Sequence, residues 1–370
     1  MERMYRHSLF PAWVIIVCSF GLVLNGCSSP SSDPEKNNQI KRMTMKAKNE
    51  VIDSVEIHHQ FAEINGIRYH YAEAGKGPLV VLLHGFPELW YSWRHQIAAL
   101  AKEGYHAVAP DLRGFGESEV TGKVEDYSLT NHAKDVKALI DHLDAKEAVV
   151  IGHDWGANLM WLMPMLYPET VVAVVSLSIP FYPETRDPVE IRKKWSNTFT
   201  NFSKPGATEA EFNADPERFF RLFFYGLSGD APTEAVDNLY MKKPENDQIL
   251  DDFPNPKGLP SWLSQEDLDY YVAAFKKTGL TPALNFYRND ADYYKQKEIY
   301  KKGIRQPVLF IGGEKEAAVR FGSQDPMKSA LPNLRKSIIL PGCGHWLQQE
   351  RPDEVNSAII EFLRQEKIRH

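Results

Sequence analysis

At 370 residues, with 43% hydrophobic and 25% charged side chains, the chain is an ordinary globular sequence long enough for a core of α/β-barrel size plus an insertion. Its formal charge of -6 gives no electrostatic case for binding nucleic acid. The 12% aromatic content falls largely in the second half and suits an apolar pocket or, nearly as well, a plain aromatic core.

The chain opens with Arg3 and Arg6, followed by an apolar run from Leu9 to Leu24 that contains Pro11 and is short for a membrane span. Gly26-Cys27, followed by Ser28-Ser29-Pro30-Ser31-Ser32, resembles a bacterial lipoprotein cleavage site. On that reading residues 1–26 are a signal peptide, and Cys27 is the lipidated first residue of the mature chain. An uncleaved anchor and an ordinary signal peptide are the alternatives. The expectation is an exported lipoprotein, outer-membrane anchored, with a periplasmic or surface-facing domain. Residues 27–50 are polar and read as a flexible tether. Only Cys18, Cys27 and Cys343 occur, so the mature fold has one free thiol and no intrachain disulfide framework.

Past residue 50 the pattern turns to strands. Phe61 to Ile64, the turn Asn65-Gly66 and Ile67 to Tyr71 predict a β-hairpin. Leu79 to Leu83, His106 to Ala109, Ala148 to Ile151 and Val171 to Leu177 are apolar throughout, as strands buried on both faces should be. Helical patterns at roughly 91–103, 130–143 and 156–167 alternate with them. That βαβ rhythm predicts a mostly parallel sheet flanked by helices, in a first core segment at 51–181. It breaks at Pro180. From 182 to 302 the chain is charged, aromatic and strand-poor, with helical patterns at 188–203, 215–226 and 265–278. The rhythm returns in a second core segment, 303–370, with Val308 to Ile311, a helix near 321–331, Ser337 to Leu340 and a helix at 352–365. A helical cap inserted into one sheet fits best. The alternative, an independent second domain, leaves the sheet without its last strands.

Three loops in this frame carry chemistry. Gly152-His153-Asp154-Trp155-Gly156-Ala157 lies between a strand and a helix, and small residues flank a central side chain. This is the pattern of a nucleophile elbow, with Asp154 where Ser is usual. A carboxylate is ionised at neutral pH and attacks without a base, so the expected reaction is displacement at an sp³ carbon, giving an ester that is then hydrolysed. Epoxides or alkyl halides fit that chemistry better than esters or peptides. His84-Gly85-Phe86-Pro87 follows a buried strand, where an oxyanion hole would draw on the N–H groups of Phe86 and Trp155; an ordinary strand-end turn is the alternative. His345, in Gly342-Cys343-Gly344-His345-Trp346, sits late in the chain, where the water-activating base belongs. Its orienting acid is expected after Val308 to Ile311, where Glu314 and Glu316 are both candidates. Asp325 is a weaker candidate, within the next helix. Asp111-Leu112-Arg113-Gly114 reads as a structural turn.

Together these residues closely resemble the soluble epoxide hydrolases of the α/β-hydrolase superfamily. The matching stretches are His84 to Arg94, Gly114-Phe115-Gly116-Glu117-Ser118, the Asp154 elbow, Asn285-Phe286-Tyr287-Arg288-Asn289 and Gly344-His345-Trp346. The resemblance covers about residues 55 to 366 and implies an α/β-hydrolase fold with a cap. It also implies that Tyr287 hydrogen-bonds the epoxide oxygen and protonates it as the ring opens. The Glu-Lys-acid pattern at Glu314-Lys315-Glu316 favours Glu316. Phe86, Pro87 and Trp155 are expected to line the substrate site. The implied partners are a small apolar epoxide and water. No cofactor, metal or nucleic acid is implied, and membrane contact is through the lipid anchor alone. The sequence departs from the family at one point: its first cap tyrosine is missing, since no Tyr occurs between Tyr182 and Tyr225. Thr198 stands there beside Phe199, which leaves ring opening to Tyr287 alone or with help from Tyr225.

A haloalkane or haloacid dehalogenase shares the elbow, and Trp155 could offer a halide its indole N–H. Haloalkane dehalogenases usually carry Asn where Phe86 stands, and fluoroacetate dehalogenases Arg where Trp155 stands. A non-catalytic surface binding protein on the same fold is the rival from another class; the presence of both Asp154 and His345 argues against it.

Overall fold

The computed structural model describes residues 49–183, 201–240, 248–322 and 324–368. The leader, Cys27, nearly all of the tether, and Thr198 with Phe199 lie outside the described residues. So does most of the helix expected at 188–203; residues 201–203 are helical. Among the described residues no helix is long and apolar enough to cross a membrane.

The fold starts with an antiparallel meander of β1 (Glu50–Ile52), β2 (Val55–Ile64) and β3 (Ile67–Ala74). Asn65 and Gly66 turn the β2–β3 hairpin with φ of 49° and 78°, the left-handed conformation that Asn-Gly supplies. Then β4 (Leu79–Leu83), α1 (Arg94–Lys102), β5 (His106–Pro110), α2 (Leu129–His142), β6 (Ala148–His153), α3 (Trp155–Leu166) and β7 (Val171–Leu177) build the wound core. β8 (Val308–Gly313) and β9 (Leu334–Leu340) extend it in parallel. The nine strands lie in the order β1-β2-β3-β5-β4-β6-β7-β8-β9. Every residue of β4, β6 and β8 is buried, which explains why these runs lack alternation. The order reverses between β4 and its neighbours, so a crevice opens at the carboxyl ends of β4 and β6. Phe86 and Asp154 emerge there.

Between β7 and β8 every described regular element is helical: α4 (Ala207–Ala214), α5 (Pro216–Leu227), α6 (Thr233–Tyr240), α7 (Gln265–Thr278), α8 (Thr281–Leu284) and α9 (Asp290–Tyr300), with short 3₁₀ turns between. α5 starts on Asp215, whose side chain accepts from the Arg218 N–H, with Pro216 in the first turn. It buries Phe219, Phe220, Leu222, Phe223 and Phe224. Helix α4, α6, α8 and α9 are beyond the sequence expectations; three of them span eight residues or fewer, too short for the 3.6-residue period to emerge. The helix expected near 321–331 is two shorter ones, α10 (Ala317–Arg320) and α11 (Asp325–Ala330). Pro326 sits in the first turn of α11, where it begins a helix and cannot continue one. Asp325 is the first residue of that helix. After β9 come α12 (Leu347–Glu350) and α13 (Pro352–Gln365).

Asp111, just past β5, ties three segments together. Its carboxylate accepts from the backbone N–H groups of Trp90 and Glu117, each at 3.0 Å, and pairs with His70 Nδ1 at 2.7 Å. Burial opposes its charge, but His70 and these donors outweigh it and hold the carboxyl below its ordinary range. Asp111→Ala removes a buried acceptor from all three partners. It is expected to destabilise the fold by about 2–5 kcal/mol, read as a lower urea midpoint with an unchanged slope.

Candidate active site

The site is built outward from Asp154. Its backbone has φ 53° and ψ -120°, a conformation that costs a non-glycine residue energy and persists only when its surroundings enforce it. The neighbours make it feasible. A Cβ on Gly152 would overlap the Gly156 carbonyl, and a Cβ on Gly156 would overlap the carbonyl of Leu83. The turn can therefore close only on glycine at both places. On the facing loop, a Cβ on Gly85 would strike the Asp154 carboxylate itself.

That approach serves a purpose. The Phe86 N–H donates to Asp154 Oδ1 at 2.8 Å, and the Trp155 N–H also hydrogen-bonds the carboxylate. The two N–H groups expected to form an oxyanion hole thus both reach the Asp154 carboxylate itself. Burial pushes the Asp154 carboxyl above its ordinary value, opposed by His345, His153 and these two donors.

His345 Nε2 stands 3.7 Å from Asp154 Oδ2. Its other nitrogen, Nδ1, lies 2.7 Å from Glu316 Oε2 and 3.2 Å from Ser178 Oγ. Glu316 is buried, and its second oxygen caps α10 by accepting from the Ala318 N–H at 3.2 Å. Glu314 turns the other way and accepts from the Gly342 N–H at 2.8 Å. Geometry therefore gives the histidine to Glu316, while Glu314 holds the turn before it. Burial disfavours a charged His345, but Glu316, its hydrogen bond, Asp154 and Glu88 outweigh burial and raise the imidazole to about 9. The same pairing holds Glu316 below its ordinary value against the pull of burial.

Tyr287 closes the site from the cap. Its ring meets Phe86 at 5.4 Å, Trp155 at 5.0 Å and Phe202 at 4.9 Å between centroids. The Trp155 side chain hydrogen-bonds the phenol, and Trp155 is itself stacked on Phe286 at 5.3 Å. Burial, reinforced by the Asp154 carboxylate, pushes the Tyr287 phenol well above its ordinary value, so it keeps its proton. The indole N–H that might have served a halide is engaged by this phenol. Pro87 is buried behind Phe86, across a cis peptide bond. Among the described residues Tyr225 makes no hydrogen bond to the site; its carbonyl accepts from Ser228.

Four contributors went unremarked in the sequence. Ser178 follows β7 with φ 72°. Tyr240 ends α6, its phenol raised by burial and by the carboxylates of Glu316 and Asp154. Neither sits in a motif that could flag it. Glu88 and His153 stand inside quoted motifs, but only the fold shows that they meet, at 2.6 Å.

A carboxylate on a strained elbow, bonded by two backbone N–H groups and faced by an acid–histidine pair, is an arrangement suited to a hydrolase with a carboxylate nucleophile. Comparison with known proteins agrees. The family model described as alpha/beta hydrolase fold matches residues 78–352. Epoxide hydrolase A of Mycobacterium tuberculosis is 40% identical over 312 residues, 82% of this chain and 96% of that protein. An epoxide hydrolase structure from an endophytic Streptomyces superposes with a TM-score of 0.80 at 39% identity, covering 84% of this chain and 96% of the other. Epoxide hydrolase A from Mycobacterium thermoresistibile gives 0.77 at 39% identity, covering 83% and 98%. The chain belongs to the alpha/beta hydrolase fold family, in its epoxide hydrolase branch.

Proposed function

We propose that the protein hydrolyses an epoxide to a vicinal diol through a covalent ester on Asp154. The observation that carries this reading is the half-buried Tyr287 phenol packed over the elbow of Asp154, beside a Glu316–His345 pair. Neither the dehalogenase nor the binding-protein alternative is favoured by the relatives.

Asp154 Oδ2 attacks an epoxide carbon, and the C–O bond of the ring breaks. The leaving oxygen takes its proton from Tyr287, whose phenolate is stabilised by the Trp155 indole. Asp154 is then a neutral ester. One of the charges that raised His345 is gone, and burial gains in relative weight. His345 gives up its Nε2 proton, which restores the Tyr287 phenol through solvent, and Nε2 can then accept a proton from water as that water adds to the ester carbonyl. The oxyanion forms on Oδ1, where the Phe86 N–H already points, with the Trp155 N–H also bonded to the carboxyl group. Collapse breaks the bond from Cγ to the diol oxygen, which takes the proton from His345. The remaining water proton passes from the regenerated Asp154 carboxyl to His345, which restores the resting charge of both. Phe86, Pro87 and Trp155 form the apolar wall against which a small epoxide sits.

An exported lipoprotein anchored at Cys27 remains our reading of the leader, supported by Gly26-Cys27 after the apolar run. Acyl labelling should mark the wild type and not Cys27→Ala. Equal labelling or identical processing of the two would exclude it.

His345→Gln should stall the second step, because the first does not use the base. Intact mass after adding a turned-over epoxide should show an adduct on the peptide containing Asp154. Glu316→Gln should accumulate the same adduct, and Glu314→Gln should not. An unmodified mass in His345→Gln would remove the ester mechanism.

Tyr287→Phe separates epoxide from halide chemistry. A developing alkoxide needs a proton, and a positioned phenol is worth about 10²–10⁴ in rate. Single-turnover alkylation by an epoxide should slow by that order, while ester hydrolysis and any side activity on a haloalkane change little. A panel of epoxides and haloalkanes, with diol and halide release read in parallel, tests the reading as a whole. Equal epoxide rates in wild type and Tyr287→Phe would assign the acid elsewhere.

A further inference from the structure

The chain leaves β7 through a turn that serine is poorly suited to make. The Ile179 N–H donates to the Leu177 carbonyl at 2.9 Å, across Ser178, whose φ is 72°. This is the strained form of the γ-turn, and a positive φ is costly for any residue with a Cβ. Neighbours enforce it from both sides. The Ser178 N–H donates to the carbonyl of Ile311 in β8 at 2.9 Å. The Ile179 carbonyl accepts from Ser176 Oγ at 2.6 Å and from the Trp161 indole of α3 at 3.2 Å. Glycine would adopt this backbone without penalty. What serine adds to such a turn is a hydroxyl.

That hydroxyl is buried and meets the base. Ser178 Oγ lies 3.2 Å from His345 Nδ1, and Glu316 Oε2 lies 2.7 Å from the same nitrogen. The pairing holds Glu316 as a carboxylate, so Nδ1 is the donor. Its proton thus has two acceptors, a carboxylate close by and a hydroxyl oxygen farther off, in a three-centre bond. One acceptor alone leaves the imidazole free to swing about the N–H···O line. Nε2, on the far side of the ring, takes that swing. A second acceptor lies off the line and removes the freedom.

We propose that Ser178 is a positioning residue for the second step: its hydroxyl fixes the plane of the His345 ring, so that Nε2 faces the water and the ester carbonyl. This rests on the functional reading above and extends it to the orientation of the base. Attack by Asp154 does not use the base, so the first step does not sense the hydroxyl. The strained turn is what the fold accepts to hold an oxygen where glycine would fold more easily.

Ser178→Gly and Ser178→Ala separate the hydroxyl from the turn. Both lack the oxygen, and only the glycine variant relieves the backbone. Ser178→Gly should resist urea at least as well as the wild type and better than Ser178→Ala. In both variants single-turnover alkylation by an epoxide should keep its wild-type rate. Ester hydrolysis should slow by about 10-fold, since displacing a reacting group by roughly 1 Å can cost about 10²-fold. Intact mass should then show the Asp154 adduct accumulating during turnover. Wild-type ester hydrolysis in Ser178→Gly overturns the proposal, whatever Ser178→Ala does. An equal loss in both steps overturns it too, and so does a Ser178→Gly clearly less stable than the wild type, because the hydroxyl would then serve the fold. A second arm needs no substrate. The His345 ring is followed in the free protein through relaxation of its Cε1–H signal, assigned by its loss in His345→Gln. The ring should be as ordered as the backbone in the wild type and looser in Ser178→Gly. Equal order in the two overturns the proposal. If the wild type opened no epoxide the functional reading would fall, and ring order would still decide whether Ser178 holds His345.

Discussion

The site is organised around one constraint: a carboxylate largely withdrawn from water at the carboxyl end of a central strand. Removing an ionised group from water costs several kcal/mol unless other groups solvate it. Asp154 is solvated by the N–H groups of Phe86 and Trp155 and by the imidazoles of His345 and His153. These come from loops after β4, β6 and β9, so no local segment could assemble them. The parallel sheet brings the ends of β4 and β6 side by side, with β8 and β9 beyond β7 on the same edge. The glycines at 85, 152 and 156 then let the backbones approach closely enough for the hydrogen bonds to form. The elbow's unfavourable φ is the local cost of pointing the carboxylate into that ring of donors.

The same burial can order the two chemical steps. A serine nucleophile needs its base before it attacks, whereas an aspartate needs a base only afterwards. In the free protein His345 is raised to about 9 because Glu316, Asp154 and Glu88 all face it. A charged imidazole at that moment helps to hold Asp154 ionised and cannot accept a proton, since both its nitrogens already carry one. Formation of the ester deletes the negative charge nearest Nε2, 3.7 Å away. Burial still acts on the ring and now meets less opposition. In the proposed mechanism the base is therefore switched on by the product of the first step.

Much of this was legible in the sequence, because each legible part has a local cause. Strands buried on both faces read as continuous apolar runs, and the elbow reads from small residues about one acid. The sheet order was not legible, since it depends on which runs pair. Glu314 and Glu316 were equivalent on spacing alone. The turn between them separates their fates, sending Glu314 to the Gly342 N–H and Glu316 to His345. Lys315 between them reaches the carbonyls of Gly229 and Ala231. Most of the additional cap helices were missed because they are short and take their stability from aromatic packing rather than from a periodic face. The Glu88–His153 pair was invisible for another reason. Its members are 65 residues apart, and nothing in either motif says that they touch.

The cap is more than a cover, because the proposed base, His345, hangs from it. The His345 N–H donates to the carbonyl of Leu227 at 2.8 Å, and the Trp346 indole donates to that of Phe224 at 2.9 Å. Glu350 accepts from the N–H groups of Gly229, Gly344 and Trp346 at 2.8, 2.9 and 3.0 Å, which closes the base loop onto the end of α5. Lys315 adds two bonds to the same cap turn. A swing of α5 away from the core would break these bonds together, at a cost of about 1 kcal/mol or more for each, and would pull His345 from Glu316 and Asp154. The cap segment at α5 therefore acts as a fixed wall that positions the base. Tyr287 approaches from the other side of the elbow, braced by Phe86, Trp155 and Phe202. Proton donor and proton acceptor are thus both registered to Asp154 by contacts between cap and core. That mutual registration is what the proposed mechanism needs if one carboxylate is to serve as nucleophile and, one step later, as the acyl group under attack.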